Sequence, residues 1–95
     1  VSSIADSLCA PLHMPYSFSV AKNVIDEMII ITEDEMRESM LFAYNNFKLL
    51  LEPACVAGLS AVKYHLKNKI TGENTLLVLC GSNLDYLTWK NIISG

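Results

Sequence analysis

The sequence predicts an α/β fold, and three observations carry that prediction. Two short apolar runs, at residues 26–31 and 75–79, are rich in isoleucine and leucine and too brief for buried helices, so they read as buried strands. Segments with helical periodicity lie between and after them. The resulting order of strand, helix, helix, strand and helix suits an α/β layer better than an all-α bundle. Two strands do not make a stable sheet unaided, so the same reading predicts an incomplete domain.

The elements follow in order. Residues 1–19 carry Pro11 and Pro15 with Ser2, Ser3 and Ser7 and read as loop with a short helix, and residues 16–23 continue helically. Thr32-Glu33-Asp34-Glu35 is a capping box: the Thr32 hydroxyl accepts from the third helical amide while Glu35 reaches back to the Thr32 amide. Met36, Met40, Ala43 and Phe47 then recur at helical spacing and predict one apolar face, as core packing rather than a cofactor box. Pro53 starts the next helix, because its fixed φ and missing amide are tolerated at the first helical position. Cys55, Val56, Leu59, Val62 and Leu66 supply the buried stripe of that helix, Lys63, Lys67 and Lys69 favour its C-terminal dipole, and Gly72 breaks the run. Residues 85–93 read as a last helix.

Composition narrows the function classes. The 95 residues fit one small domain or a piece of a larger one; 52% are hydrophobic and 18% charged, against roughly 25% charged in an average domain. Apolar faces are therefore expected to meet further protein. A net charge of −3 without a basic stripe argues against nucleic acid and anionic membrane as partners. No apolar run approaches the roughly 18 residues of a membrane span, and no basic start precedes an apolar core as in a signal peptide. The chain opens on Val1 rather than methionine, as expected of truncation or processing. Three cysteines, Cys9, Cys55 and Cys80, are an odd number without framework spacing and predict reduced thiols in a cytoplasmic setting.

The residues with chemical promise cluster in the second half. Cys80-Gly81-Ser82-Asn83 stands where the second apolar run turns into the last helix. In open α/β sheets ligands bind at the carboxyl ends of strands beside helix starts, and Gly81 admits close backbone approach. Taken alone, such a small-residue turn is more often only a turn. Upstream, Glu52 precedes Pro53 and reads as a cap of that helix, a role compatible with any other it has. Cys9-x3-His13 has the spacing of half a zinc site, but about four ligands are needed and no second pair is near. His65, among lysines, reads as solvated.

Lys48-Leu49-Leu50-Leu51-Glu52-Pro53-Ala54 together with Leu76-Leu77-Val78-Leu79-Cys80-Gly81-Ser82-Asn83 resembles the C-terminal part of serine and threonine dehydratases. Ser3-Ile4-Ala5-Asp6-Ser7-Leu8 is similar to a third segment of that family, and the likeness extends diffusely over residues 1–85. The resemblance implies a doubly wound three-layer α/β sandwich of the tryptophan-synthase-β type, with residues 1–95 as the C-terminal portion of its catalytic domain. It implies pyridoxal 5'-phosphate as cofactor, with Cys80 hydrogen-bonded to the pyridine nitrogen, Glu52 beside the ring, and Gly81, Ser82 and Asn83 completing that edge. A neutral thiol at the ring nitrogen implies a muted electron sink, suited to prompt loss of a β-hydroxyl. Ser7 would lie on the substrate side, where the family commonly has glycine, which puts an average substrate preference in doubt. Cys55 and Gly58 match packing positions.

The whole enzyme so implied converts L-threonine or L-serine to a 2-oxo acid and ammonia by β-elimination, acts in the cytoplasm and forms a homo-oligomer. Racemase and hydroxyaspartate dehydratase siblings stay open. The family's cofactor-anchoring Ser-x-Lys motif and glycine-rich phosphate loop are absent from the sequence, and none of Lys22, Lys48, Lys63, Lys67, Lys69 and Lys90 has the motif's context. The isolated chain is therefore expected to be inactive, to contain no catalytic residue and no metal site, and to need the remainder of its own catalytic domain as partner. A different class of function, a non-catalytic α/β interaction module or degraded paralogue, is the alternative.

Overall fold

The computed structural model describes residues 2–8, 12 and 14–95. A 3-10 turn, Asp6–Leu8, comes first. Helix α1 spans Pro15–Val24, and its first-turn proline is pre-set for the helix. Helix α2 spans Glu33–Phe47, and both halves of the predicted capping box form: the Glu35 amide donates to Thr32 Oγ1 at 3.1 Å, and the Thr32 amide donates to Glu35 Oε2 at 3.0 Å. The helix stops at Lys48, whose left-handed backbone (φ 58°) lets its amide return to the carbonyls of Ala43 and Tyr44.

The helix predicted from Pro53 is a composite. A 3-10 turn, Pro53–Val56, leads into α3, Ala57–Ala61, and then a π turn, Val62–Leu66. Lys67 and Lys69 lie beyond it. Helix α4 spans Tyr86–Ser94 and is capped by Asp85, whose carboxylate accepts the Thr88 amide at 2.7 Å.

The core sits where α2, the Pro53 turn, α3 and α4 meet. Met36, Met40 and Ala43 from α2 pack with Leu51, Cys55, Val56 and Leu59, and α4 adds Trp89. Phe47, expected on the same face, is half-exposed and sets its ring edge-on to Phe42 at 5.8 Å; it ends the helix where the core no longer covers that face. The buried hydroxyls of Ser39 and Ser60 satisfy each other across α2 and α3 at 2.8 Å. Trp89 lies 4.8 Å from the Tyr44 ring centre and docks α4 onto α2, and Arg37 Nε donates to the Ile92 carbonyl at 3.1 Å. At the other end, the Ile4 amide donates to Glu33 Oε1 at 2.9 Å and ties residues 3–8 to the start of α2.

The predicted strands require correction. Residues 26–31 and 75–79 are neither helix nor strand, and no sheet is present among the described residues. Exposure nevertheless alternates along both. Met28 and Ile30 are 81% and 90% exposed while Ile29 and Ile31 are half-covered; Leu76 and Val78 are 89% and 69% exposed while Leu77 and Leu79 pack on the core. Alternation with period two is what a strand's side chains do. A strand's backbone polar groups need a neighbouring strand, whereas a helix satisfies its own, so these segments show the side-chain pattern without the ladder.

Candidate functional site

The family-like segments come together although they are far apart in sequence. The Glu52 amide donates to the Gly81 carbonyl at 3.3 Å, and the Ser82 hydroxyl donates to the Leu50 carbonyl. These two bonds clamp the Leu-Glu-Pro stretch against the Cys-Gly-Ser-Asn turn. Glu52 sits at the helix N-cap position, but its side chain makes no capping bond. Of the two roles open to it, the structure takes the carboxylate away from the helix start and towards Gly81 and Cys55.

The approach at Gly81 leaves no room for a side chain. A β-carbon there would lie 2.8 Å from Cys55 Sγ and 3.3 Å from Glu52 Cδ. Cys55 Sγ in turn lies 3.6 Å from Cys80 Sγ. Burial, then the Cys80 thiol and the Glu52 carboxylate, push the Cys55 thiol up to about 12, so it stays protonated at neutral pH. That agrees with Cys55 as a core residue. Cys80 is exposed.

A cavity of about 260 Å³ opens on this edge, lined by Ile4, Asp6, Glu52, Asn83, Asp85 and Thr88 among others. Of the residues singled out from sequence, Glu52 and Asn83 line it. Gly81 and Ser82 are not among the lining residues and connect to it through the bonds to Glu52 and Leu50. Cys80 meets the group through Cys55, and Ser7 lies one residue beyond the lining Asp6. Asp6, Asp85 and Thr88 were not singled out. The signal for Asp85 was its place as a helix cap just after Asn83-Leu84; that for Asp6 was its place inside the quoted Ser3–Leu8 motif.

His65 is exposed, as expected, and also meets Glu35 Oε2 at 3.0 Å from the π turn Val62–Leu66. The Thr32 amide first, and His65 second, hold the Glu35 carboxyl below its usual range. Tyr64 beside it donates to Glu38, and burial together with that carboxylate pushes its hydroxyl up to about 12. Cys9 and His13 lie outside the described residues. Among the described residues no three His, Cys, Asp or Glu gather as a metal site, and no helix is long and apolar enough to cross a membrane.

Residues 1–81 match the family described as pyridoxal-phosphate dependent enzymes. The chain belongs to that family. Among curated relatives of this pyridoxal-phosphate family chain, phenylserine dehydratase of Ralstonia pickettii is 35% identical over 94% of this chain and 27% of its own length. L-threonine ammonia-lyase of Thermotoga maritima is 29% identical over 97% of this chain and 22% of its own. Serine racemase of Dictyostelium discoideum is 27% identical over 98% of this chain and 29% of its own. The chain thus spans about a quarter of the length of these relatives. No solved structure matches it.

The side chains present suit one edge of the family's cofactor. A thiol at Cys80, a carboxylate at Glu52 and an amide at Asn83 are groups that can meet a pyridine nitrogen and ring substituents, and Gly81 lets Cys55 and Glu52 pack against the turn's backbone. No lysine lines the cavity. Lys69 pairs with Glu27 at 3.1 Å, Lys63 lies over the Phe42 ring, and Lys48 binds the Asn45 carbonyl. The donor set is compatible with the ring side of such a cofactor, Cys80 standing outside the cavity lining, and the cavity offers no amine.

Proposed function

We propose that residues 1–95 are the C-terminal portion of the catalytic domain of a pyridoxal-phosphate dependent serine/threonine dehydratase-like lyase, releasing a 2-oxo acid and ammonia from L-threonine or L-serine. The observation that carries this reading is the meeting of Glu52 with Gly81 and Asn83 on the cavity that Asp6 also lines. The names of the relatives, two of them ammonia-lyases or dehydratases acting on hydroxy amino acids, support it. When bound, pyridoxal phosphate would supply the electron sink that acidifies the α-hydrogen.

The chain's own part in that chemistry is to bind and orient. Cys80 would present its thiol group to the ring nitrogen, and Glu52 would keep a carboxylate beside the ring, fixed by its own amide on Gly81. Asn83 would offer its amide from the cavity wall, Gly81 and Ser82 would hold that wall in place, and Ser7 would stand on the substrate side. In the full domain residues 26–31 and 75–79 would be strands of the three-layer α/β sandwich, a reading supported by their alternating exposure. The odd number of cysteines without framework spacing favours a cytoplasmic enzyme.

The test starts with the mass of the native protein in its source cells, detected with an antibody to this chain. A product several times heavier than 10.5 kDa, which then forms 2-oxo acid from threonine or serine, is the expected result. Replacing Cys80 with alanine in that protein should shift the absorbance of the bound cofactor as well as lower turnover. A native product at this mass would favour the second reading, a non-catalytic α/β interaction module, for which the bare Met28, Ile30, Leu76 and Val78 are the supporting feature. The 95-residue chain alone should neither hold pyridoxal phosphate tightly nor turn over either amino acid.

A further inference from the structure

Two thiols meet behind the candidate cavity, and their surroundings differ in a useful way. Cys55 and Cys80 are both free, with sulfurs 3.6 Å apart across 25 residues of sequence. Cys55 is 4% exposed, in the 3-10 turn Pro53–Val56; Cys80 is exposed, in a stretch that is neither helix nor strand. The neighbour of Cys80 is Gly81, which brings no side chain of its own against Cys55 Sγ; the Glu52 carboxylate lies on that side as well. A disulfide needs sulfurs about 2 Å apart, and the irregular stretch carrying Cys80 can close the remaining roughly 1.5 Å.

We propose that Cys55 and Cys80 are a redox modification site that closes to an intramolecular disulfide when the chain meets a low-molecular-weight disulfide such as oxidised glutathione. The steps balance. The exposed Cys80 thiolate attacks one sulfur of the reagent, forming a mixed disulfide and expelling one glutathione thiol. Cys55, as thiolate, then attacks the Cys80 sulfur; the Cys55–Cys80 bond forms, the mixed disulfide breaks, and the second glutathione leaves. Two electrons pass from the cysteine pair to the reagent, and the two cysteine protons end on the two glutathione thiols.

Access sets the order of events: only Cys80 can meet a solute, so Cys55 is the resolving thiol. Its raised pKa makes the second step slow at neutral pH and faster in alkali. In a reducing compartment disulfides, where they form, are usually transient and catalytic or redox-sensing. The pair does not depend on the functional reading, but its consequence does: closure would remove the Cys80 thiol from the ring nitrogen and shut off the lyase.

The test treats the purified chain with oxidised glutathione, quenches with an alkylating agent, and maps the linked peptides by mass. The expected product joins Cys55 to Cys80 and is lighter by the two hydrogens lost. In denaturant, by contrast, bridges should scatter over all pairings of Cys9, Cys55 and Cys80. The closing step should quicken roughly tenfold per pH unit below the Cys55 range. Glutathione left standing on Cys80, a bridge pattern unchanged by denaturant, or a closing rate indifferent to pH would overturn the proposal. None of these readings requires cofactor or activity, so failure here is distinguishable from failure of the lyase assignment.

Discussion

The packed unit of α2, α3 and α4 and the two apolar segments beside it are built from similar side chains, yet one buries them and the other leaves every second one bare. Met36 and Met40 are 4% and 0% exposed, whereas Met28 is 81% exposed. Hydropathy does not separate them. The difference lies in the backbone: α2 closes its own hydrogen bonds and presents a stripe that neighbouring helices cover, while a strand-like segment shows two faces and needs neighbours both beside it and above it. Among the described residues burial follows which helix faces are covered by neighbouring helices: α2 is covered and buries its stripe, whereas α1, a helix too, buries none of its residues.

The largest expected effect that sharpens this contrast is at Met40. Met40→Ala should lower stability by about 3 kcal/mol, through lost burial plus the cavity left behind. Leu76→Ala, at 89% exposure, should change it by less than about 0.5 kcal/mol. Urea unfolding of the two variants checks both, and equal losses would break the comparison. Next comes Gly81→Ala, which forces a β-carbon to within 2.8 Å of Cys55 Sγ and should cost about 2 kcal/mol. Adding Cys55→Ala should relieve most of the clash beyond its own cavity cost; a purely additive double variant would place the strain elsewhere.

A smaller loss, about 1 kcal/mol, is expected for Thr32→Ala, which removes the side-chain acceptor of the capping box, read by thermal melting of the helical signal. The smallest effect is on pH dependence. Hydrogen bonding to the Ile4 amide holds the Glu33 carboxyl below its usual range, the Thr32 amide does so for Glu35, and the Thr88 amide for Asp85. Each carboxylate therefore takes up its proton more readily unfolded than folded. The stability they contribute is present above the ordinary carboxylate range and is lost as pH falls through their lowered values. Asp85 is exposed and Glu33 and Glu35 are only partly covered, so the drop in melting temperature on acidification should be modest. Glu35→Gln should flatten part of it, and an unchanged slope would remove Glu35 from the account.

Much of the helical unit was legible because its signals are local. The capping box at Thr32 and the proline at the first position of the Pro53 turn act within one turn of the chain, and both form as the residue types dictate. The site was legible only in part. Glu52 and Asn83 were found through the resemblance of their motifs, but nothing local distinguished a capping Glu52 from one facing Gly81. Asp6 and Thr88 join the cavity through packing of distant segments, and His65 meets Glu35 across 30 residues of sequence. The predicted strands failed for the opposite reason: period-two patterning reports which side chains would face a core, but a ladder needs a second chain segment in register.

By itself the sequence determined the starts of α2, of the Pro53 turn and of α4, the identity of most core side chains, and membership of the pyridoxal-phosphate dependent enzymes, since caps, periodicity and motifs are properties of residues near one another in the chain. Tertiary structure alone decided that Glu52 turns to Gly81, that Cys55 meets Cys80, and which face of each apolar segment is covered. Those outcomes depend on contacts between residues 25 or more positions apart, or on neighbours that a local pattern can call for but not supply.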